Sequence, residues 1–275
     1  MDEQNWTRPF IAEDITYFPD GELKTAVCDD SLHAFTIGKG DERWGWTAVF
    51  TIPGLDDIYA IDGFVQPDKR RRGAGSKLLH HLAGAMADGQ LSYAVETMDC
   101  AAAHFFRAND FYVEHEEWGL VHDDKQQRIA QISTKKECIQ AAPTRTTAIQ
   151  WFLQLYDAIF APHRWNQPFT ADEVEHLLED RADLRFLMEG EQPIGFAWLK
   201  LEDGVGEIEP IGILPAYQGK GNGRFLLQTA INQLYERGAT QVKIGVWREN
   251  ETAVLLYKSV GFHHRETLTY YALDL

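Results

Sequence analysis

A chain of 275 residues with 44% hydrophobic and 12% aromatic content can fill one large core or two ordinary ones, which excludes wholesale disorder. Its formal charge of −16, from 42 acidic against 26 basic residues, excludes nucleic acid and anionic membranes as natural partners. The same charge suits cationic small molecules or basic peptides, and equally a surface that is merely soluble.

In chain order, IYAIDGFVQP (58–67) reads as a strand, RRRGAG (70–75) as a glycine turn and SKLLHHLAGAMA (76–87) as a helix. DCAAAHFFRANDF (99–111) follows, and STKKECIQAAPTR (133–145) separates it from a new helical run, TAIQWFLQLYDAIF. Thr170 is a natural N-cap for TADEVEHLLED, with Glu173 completing a capping box. LRFLMEG and PIGFAWLKLED read as strands around a Glu-Gly-Glu-Gln turn, and GEIEPIGILP as a third. QGKGNG (218–223) then opens a helix to about Arg237, and TQVKIGVW is a strand. Asn250 caps a short helix ending at Gly261, and TLTYYALDL closes the chain as a strand. No apolar run is long enough to span a bilayer, and MDEQNWTRPF lacks a charged-then-apolar leader, which reads as cytoplasmic. Cys28, Cys100 and Cys138 form no C-x-x-C pair, so they fit reduced thiols and no metal site is expected.

The chain repeats itself. Val65-Gln66-Pro67 aligns with Ile213-Leu214-Pro215 at an offset of 148, and Gly73 and Gly75 align with Gly221 and Gly223 at the same offset. At an offset of 151, Asp99 meets Asn250, Ala102 meets Ala253, Phe106 meets Tyr257 and Phe111 meets Phe262. The sequence therefore predicts two tandem α/β domains, 1–137 and 138–275. The strand–loop–helix–strand unit in each should make two central strands parallel.

Glycines directly before a helix turn successive backbone N–H groups toward one point, where the helix dipole adds positive charge. That is an anion site. A Walker loop is excluded, because Gly75-Ser76-Lys77 has the wrong order and the second copy has no match. A dinucleotide fingerprint starting at Gly219 would need glycine where Arg224 stands. The remaining pattern, Q/R-x-x-G-x-G/A, is met by Gln218, Gly221 and Gly223 and by Arg70, Gly73 and Gly75. With Asn250-x-x-Ala253-x-x-Leu256-Tyr257-x-x-x-Gly261-Phe262 downstream, the chain resembles a tandem member of the Gcn5-related N-acetyltransferase superfamily.

The resemblance implies a mixed, mostly antiparallel sheet in each domain, with a central parallel pair and flanking helices. It further implies that acetyl-CoA lies where the parallel strands part, its pyrophosphate on Gln218, Gly219, Lys220, Gly221, Asn222, Gly223 and Arg224. A backbone N–H of Ile211, Gly212 or Ile213 would hold the oxyanion. Tyr257 would protonate the leaving sulfur, or is simply a packed aromatic. Glu207 or Glu209 would be the base, since like charges two residues apart on a strand raise a carboxyl pKa, or the pair is an exposed strand end. Asn250 reads as a CoA contact and as a helix N-cap, which are compatible. Trp165 and His163, with Arg164, could line an acceptor pocket or form an ordinary helix connection.

In the first copy Arg70, Arg71, Arg72, Gly73, Ala74 and Gly75 preserve the loop, so it can hold CoA. The catalytic positions do not persist: Tyr257 becomes Phe106, Glu207 becomes Tyr59 and Glu209 becomes Ile61. Asp62 is the nearby carboxylate, one residue out of phase. The expected function is acetyl transfer from acetyl-CoA to a primary amine, on a small molecule or a peptide amino terminus. The alternative is a non-catalytic CoA-binding or scaffolding protein of the same fold.

Overall fold

The computed structural model describes residues 5–18, 31–96, 100–123 and 138–275; Cys28, Asp99 and positions 133–137 of the expected boundary lie outside them. Two compact units result. The first comprises residues 1–114 and 269–275, and the second 115–268.

The first unit contains β1 (Trp6–Pro9), a 3-10 turn (Ala12–Tyr17), β2 (His33–Lys39), β3 (Glu42–Ile52), β4 (Leu55–Val65), α1 (Ala74–Ala85), β5 (Gln90–Glu96) and α2 (Cys100–Arg107). Its strands run in the order β1-β2-β3-β4-β5, followed by the last residues of β12 (His263–Asp274). All registered pairs are antiparallel except β4 with β5, which is parallel. Val49, Ile61, Leu82, Leu91, Phe106 and Tyr271 form the main core under α1 and α2.

The second unit contains most of β6 (Tyr112–His122), then β7 (Cys138–Gln140), α3 (Arg145–Phe160), α4 (Ala171–Leu177), β8 (Leu184–Glu189), β9 (Gln192–Glu202) and β10 (Val205–Ile213). α5 (Asn222–Glu236), β11 (Gln241–Trp247), α6 (Glu251–Ser259) and the start of β12 complete it. Its strand order is β12-β6-β11-β10-β9-β8-β7, and β10 with β11 is parallel. Side chains alternate between two cores because a strand turns successive residues to opposite faces. Phe196 and Trp198 pack under α3 and α4, whereas Ala197 and Leu199 pack under α5 and α6. Each fully buried Leu, Ile or Phe contributes roughly 1.5–3 kcal/mol over leaving it in water. The sheet is therefore held from both sides.

The expected helices and caps are present. Thr144 caps α3, and Thr170 and Glu173 form the reciprocal capping box of α4. β12 begins at His263, a few residues before the expected strand, and its first residues are exposed. The boundary expected from the repeat, 137/138, falls at the edge of the described residues, whereas the compact units divide at 114/115 and 268/269. β6, at the end of the first repeat, lies mostly in the second unit.

Candidate active site

Gly221 takes φ 86° as the N-cap of α5, and Gly219 takes φ 72°, conformations that favour glycine. A Cβ at either position would meet nothing within 4 Å, so the loop borders open space. The first bond drawn into the helix is Phe225 N–H to Gly221 O at 3.1 Å, so the amides before it point toward the loop mouth. Gln218 Nε2 donates to Ile213 O at 2.9 Å and ties the loop to the end of β10. Asn222 is buried and donates to Tyr217 O at 3.0 Å. Lys220 Nζ donates to Ala216 O and lies over the Tyr217 ring, turned back on its own turn. Arg224 reaches Ser259 Oγ on α6 at 2.8 Å, so its side chain braces the two helices. Backbone amides are what this loop turns toward an anion, with the charges of Lys220 and Arg224 exposed beside them.

β10 and β11 are registered only from Val205↔Gln241 to Glu207↔Lys243, although β10 runs on to Ile213 and β11 to Trp247. They part beside the loop. Leu214 N–H bonds Ile194 O on the β9 side, so strand alternation turns the N–H groups of Ile213 and Ile211 toward the gap. By the same alternation Gly212 turns its N–H to β9, and a Cβ there would press on Ile159 of α3 at 3.1 Å. A β-bulge lies between Ile208 and Ile211, around Glu209. Simple two-residue alternation therefore does not fix where Glu209 points, because an extra residue re-aims the side chain.

Its contacts do. Glu209 Oε2 lies 3.2 Å from the point where a Cβ of Gly245 would stand, on the α3 face of β11. Glu209 is exposed to solvent, yet Gly245 N–H bonds its carboxylate and β11 lies against it, so that end of the side chain loses part of its hydration. That loss, then the charges of Glu117 and Glu207, push its pKa up to about 7 against Lys200 and a bond from Gly245 N–H. The expected rise is present. Its strongest charged cause is Glu117, a residue that the sequence pattern did not single out.

Tyr257 lies on the other face, in the core under α5 and α6, and is 7% exposed. Burial, reinforced by the charge of Glu209, pushes its phenol well above the usual range, so it keeps its proton at neutral pH. Asn250 Oδ1 accepts from Ala253 N–H at 3.2 Å and caps α6. On the α3 face Trp165 packs against His115 with ring centroids 4.7 Å apart, and His163 meets Trp247 at 5.2 Å. Burial and Arg164 hold His115 below its ordinary pKa, against Glu249. Aromatic rings and carboxylates thus share one face, and a phenol waits on the other. Among the described residues no His, Cys, Asp and Glu cluster could hold a metal.

The family model described as acetyltransferase (GNAT) family matches residues 2–115 and again 150–262. The chain belongs to this family. It is 28% identical over 228 residues to a mycothiol acetyltransferase of Nocardioides sp., covering 75% of this chain and 77% of that one. Another mycothiol acetyltransferase, from Corynebacterium aurimucosum, is 26% identical over 263 residues, covering 83% and 84%. A GCN5-related N-acetyltransferase from Sphaerobacter thermophilus has the same fold, with TM-score 0.68 at 17% identity over 100% of this chain and 96% of that one. Membership and relatives support acetyl transfer as the activity.

Within this family fold the first repeat keeps the loop's build in detail. Arg70 Nε donates to Val65 O at 2.9 Å, the counterpart of Gln218 on Ile213. Arg71 takes φ 59° where the second repeat has Gly219, and Gly73 takes φ 79°. Ala74 is buried at the start of α1, and a Cβ on Gly75 would strike Phe105 at 2.8 Å. Arg72 adds its charge beside them. The gap differs. Gly63 N–H, aligned with Ile211, is bonded to Asp62 Oδ1 at 2.6 Å. Phe106, aligned with Tyr257, stacks on Tyr93 at 4.7 Å. Among the described residues no helix is long and apolar enough to cross a membrane.

Proposed function

We propose that this protein is an acetyl-CoA-dependent N-acetyltransferase whose chemistry belongs to the second repeat, residues 138–275, while the first, 1–137, keeps the fold and loop without the catalytic groups. The observation that supports this reading most is the position of Glu209 and Tyr257 on opposite faces of two parted strands, with the loop beside them. Acetyl-CoA supplies the acetyl group as a thioester. Its pyrophosphate would sit on the amides of Gly219 to Arg224, and Asn250 would border it at the start of α6. An amine arrives as an ammonium ion from the acidic, aromatic face. Glu209, poised near neutrality, takes its proton and frees the nitrogen to attack. Ile211 and Ile213 turn N–H groups toward the carbonyl oxygen as it gains charge. Tyr257 gives its proton to sulfur as the carbon–sulfur bond breaks, and the proton shed by the acylated nitrogen restores the phenol.

The acceptor is a primary amine, small molecule or peptide amino terminus, bordered by Trp165 and His163. The relatives' common name makes their own acceptor the natural first member of a screen that also holds polyamines, aminoglycosides and peptides. Calorimetric titration of the full chain with acetyl-CoA tests the reading. One saturable site is expected, abolished by Gly221→Glu, whose carboxylate would fill the phosphate cradle. No binding by the wild type would sink the enzyme, and retained affinity in the variant would sink the placement of the loop.

A further inference from the structure

β6 pairs with β11 in the second unit, with Glu117 opposite Trp247 and Gly119 opposite Gly245. Leu120 and Trp118 pack under α5 and α6, so Glu117 and Gly119 turn to the α3 face. A Cβ on Gly245 would lie 2.6 Å from Glu117 Oε1 and 3.2 Å from Glu209 Oε2. Two carboxylates from the strands on either side of β11 therefore converge over one glycine. Both oxygens lie within 3.2 Å of one point, so the two carboxylates repel, and a proton taken up by either relieves the repulsion. Gly245 has no side chain to keep them apart. At the repeat offset Glu117 corresponds to Leu268, so the convergence is particular to this unit.

We infer that Glu117 and Glu209 form a coupled carboxyl pair, in which Glu209 faces the acceptor amine and Glu117 is the positioning residue that keeps it basic. The inference rests on the second unit's being the transfer site. The other groups facing Glu209 are Glu207 on its own strand, Lys200 on β9, Tyr156 on α3 and Tyr257 on α6, with Gly245 N–H donating from β11. Glu207 and Lys200 act in opposite senses, and after burial Glu117 exerts the largest influence. The first repeat thus lends the second a residue of its site.

The test needs no acceptor. Full-length protein carrying 13C-carboxyl glutamate is titrated by NMR, and the Glu209 signal is identified by its loss in Glu209→Gln. The wild-type signal is expected to titrate near 7. In Glu117→Gln its midpoint moves to lower pH by about one unit, because a like charge has gone. Glu117→Asp, which keeps the charge but withdraws the carboxyl, gives an intermediate midpoint and covers any folding defect of the first variant. An unchanged Glu209 midpoint in both variants overturns the pair. Acetyl-CoA calorimetry separates the two readings: binding without the shift sinks only the pair, and the shift without binding sinks only the enzyme.

Discussion

One phenolic oxygen separates the two repeats at Tyr257 and Phe106. Both side chains are buried, at 7% and 6% exposure, and both pack beside the phenylalanine that ends the repeated motif, Phe262 or Phe111. The site therefore accepts either ring sterically, and the oxygen needs a reason other than packing. A phenol keeps its proton at neutral pH, and burial only strengthens that hold, so Tyr257 has a proton that Phe106 lacks to give a leaving thiolate. Tyr257→Phe should lower kcat by roughly 10- to 100-fold, toward the small end of general-acid effects, with acetyl-CoA affinity little changed. Steady-state kinetics beside calorimetry check this, and an unchanged kcat would remove Tyr257 from the chemistry. Asp62 makes the complementary point in the first repeat. Its carboxylate occupies the Gly63 amide that would otherwise face the gap.

At the scale of elements, what lies close in sequence was legible and what depends on distant pairing was not. Glycine spacing fixed the left-handed turns at Gly219 and Gly221, because those conformations are local. Thr170 with Glu173, and Asn250, are caps for the same reason. The bulge at Glu209 depends on how β10 registers with β9, and Glu117 on β6 finding β11. Neither pairing has a local signature. The 3-10 turn near the start is another non-local assembly. Asp14, 1% exposed, accepts from Arg8 on β1 at 2.6 Å and from Arg43 on β3 at 3.0 Å. Burial alone would raise its pKa, but bonds from Arg8, the Ile11 amide and Arg43 overcome that and hold it below the usual carboxylate range. Asp14→Asn, which leaves two arginines without their anion, should cost about 3 kcal/mol in urea unfolding. Because the folded pKa is depressed, this stabilisation is complete above the unfolded value and lost as pH falls through the folded one. A variant as stable as the wild type at pH 7 would show that the arginines find other partners.

For the whole molecule, the repeat in sequence and the compact units in space divide differently, and this has a mechanical consequence. A fragment cut at the repeat boundary, 138–275, loses β6 from the second unit. With it go Leu120 and His122, both fully buried, Val121 at 6% exposure, and the ladder from Val242↔His122 to Trp247↔Glu117. Losing one buried leucine alone costs about 2–5 kcal/mol, against a total stability on the order of 5–15 kcal/mol for a domain. The edge of β11 would also be bared, an invitation to pair with another chain. We therefore expect 138–275 to show no cooperative urea transition as a monomer, or to elute as an oligomer. A fragment of 112–268, which retains β6 and ends where the second unit ends, should unfold cooperatively and run as one chain. Monomeric, cooperative behaviour of 138–275 would mean that the second repeat carries its own fold without the borrowed strand. The dependence of its site on Glu117 would then be chemical alone.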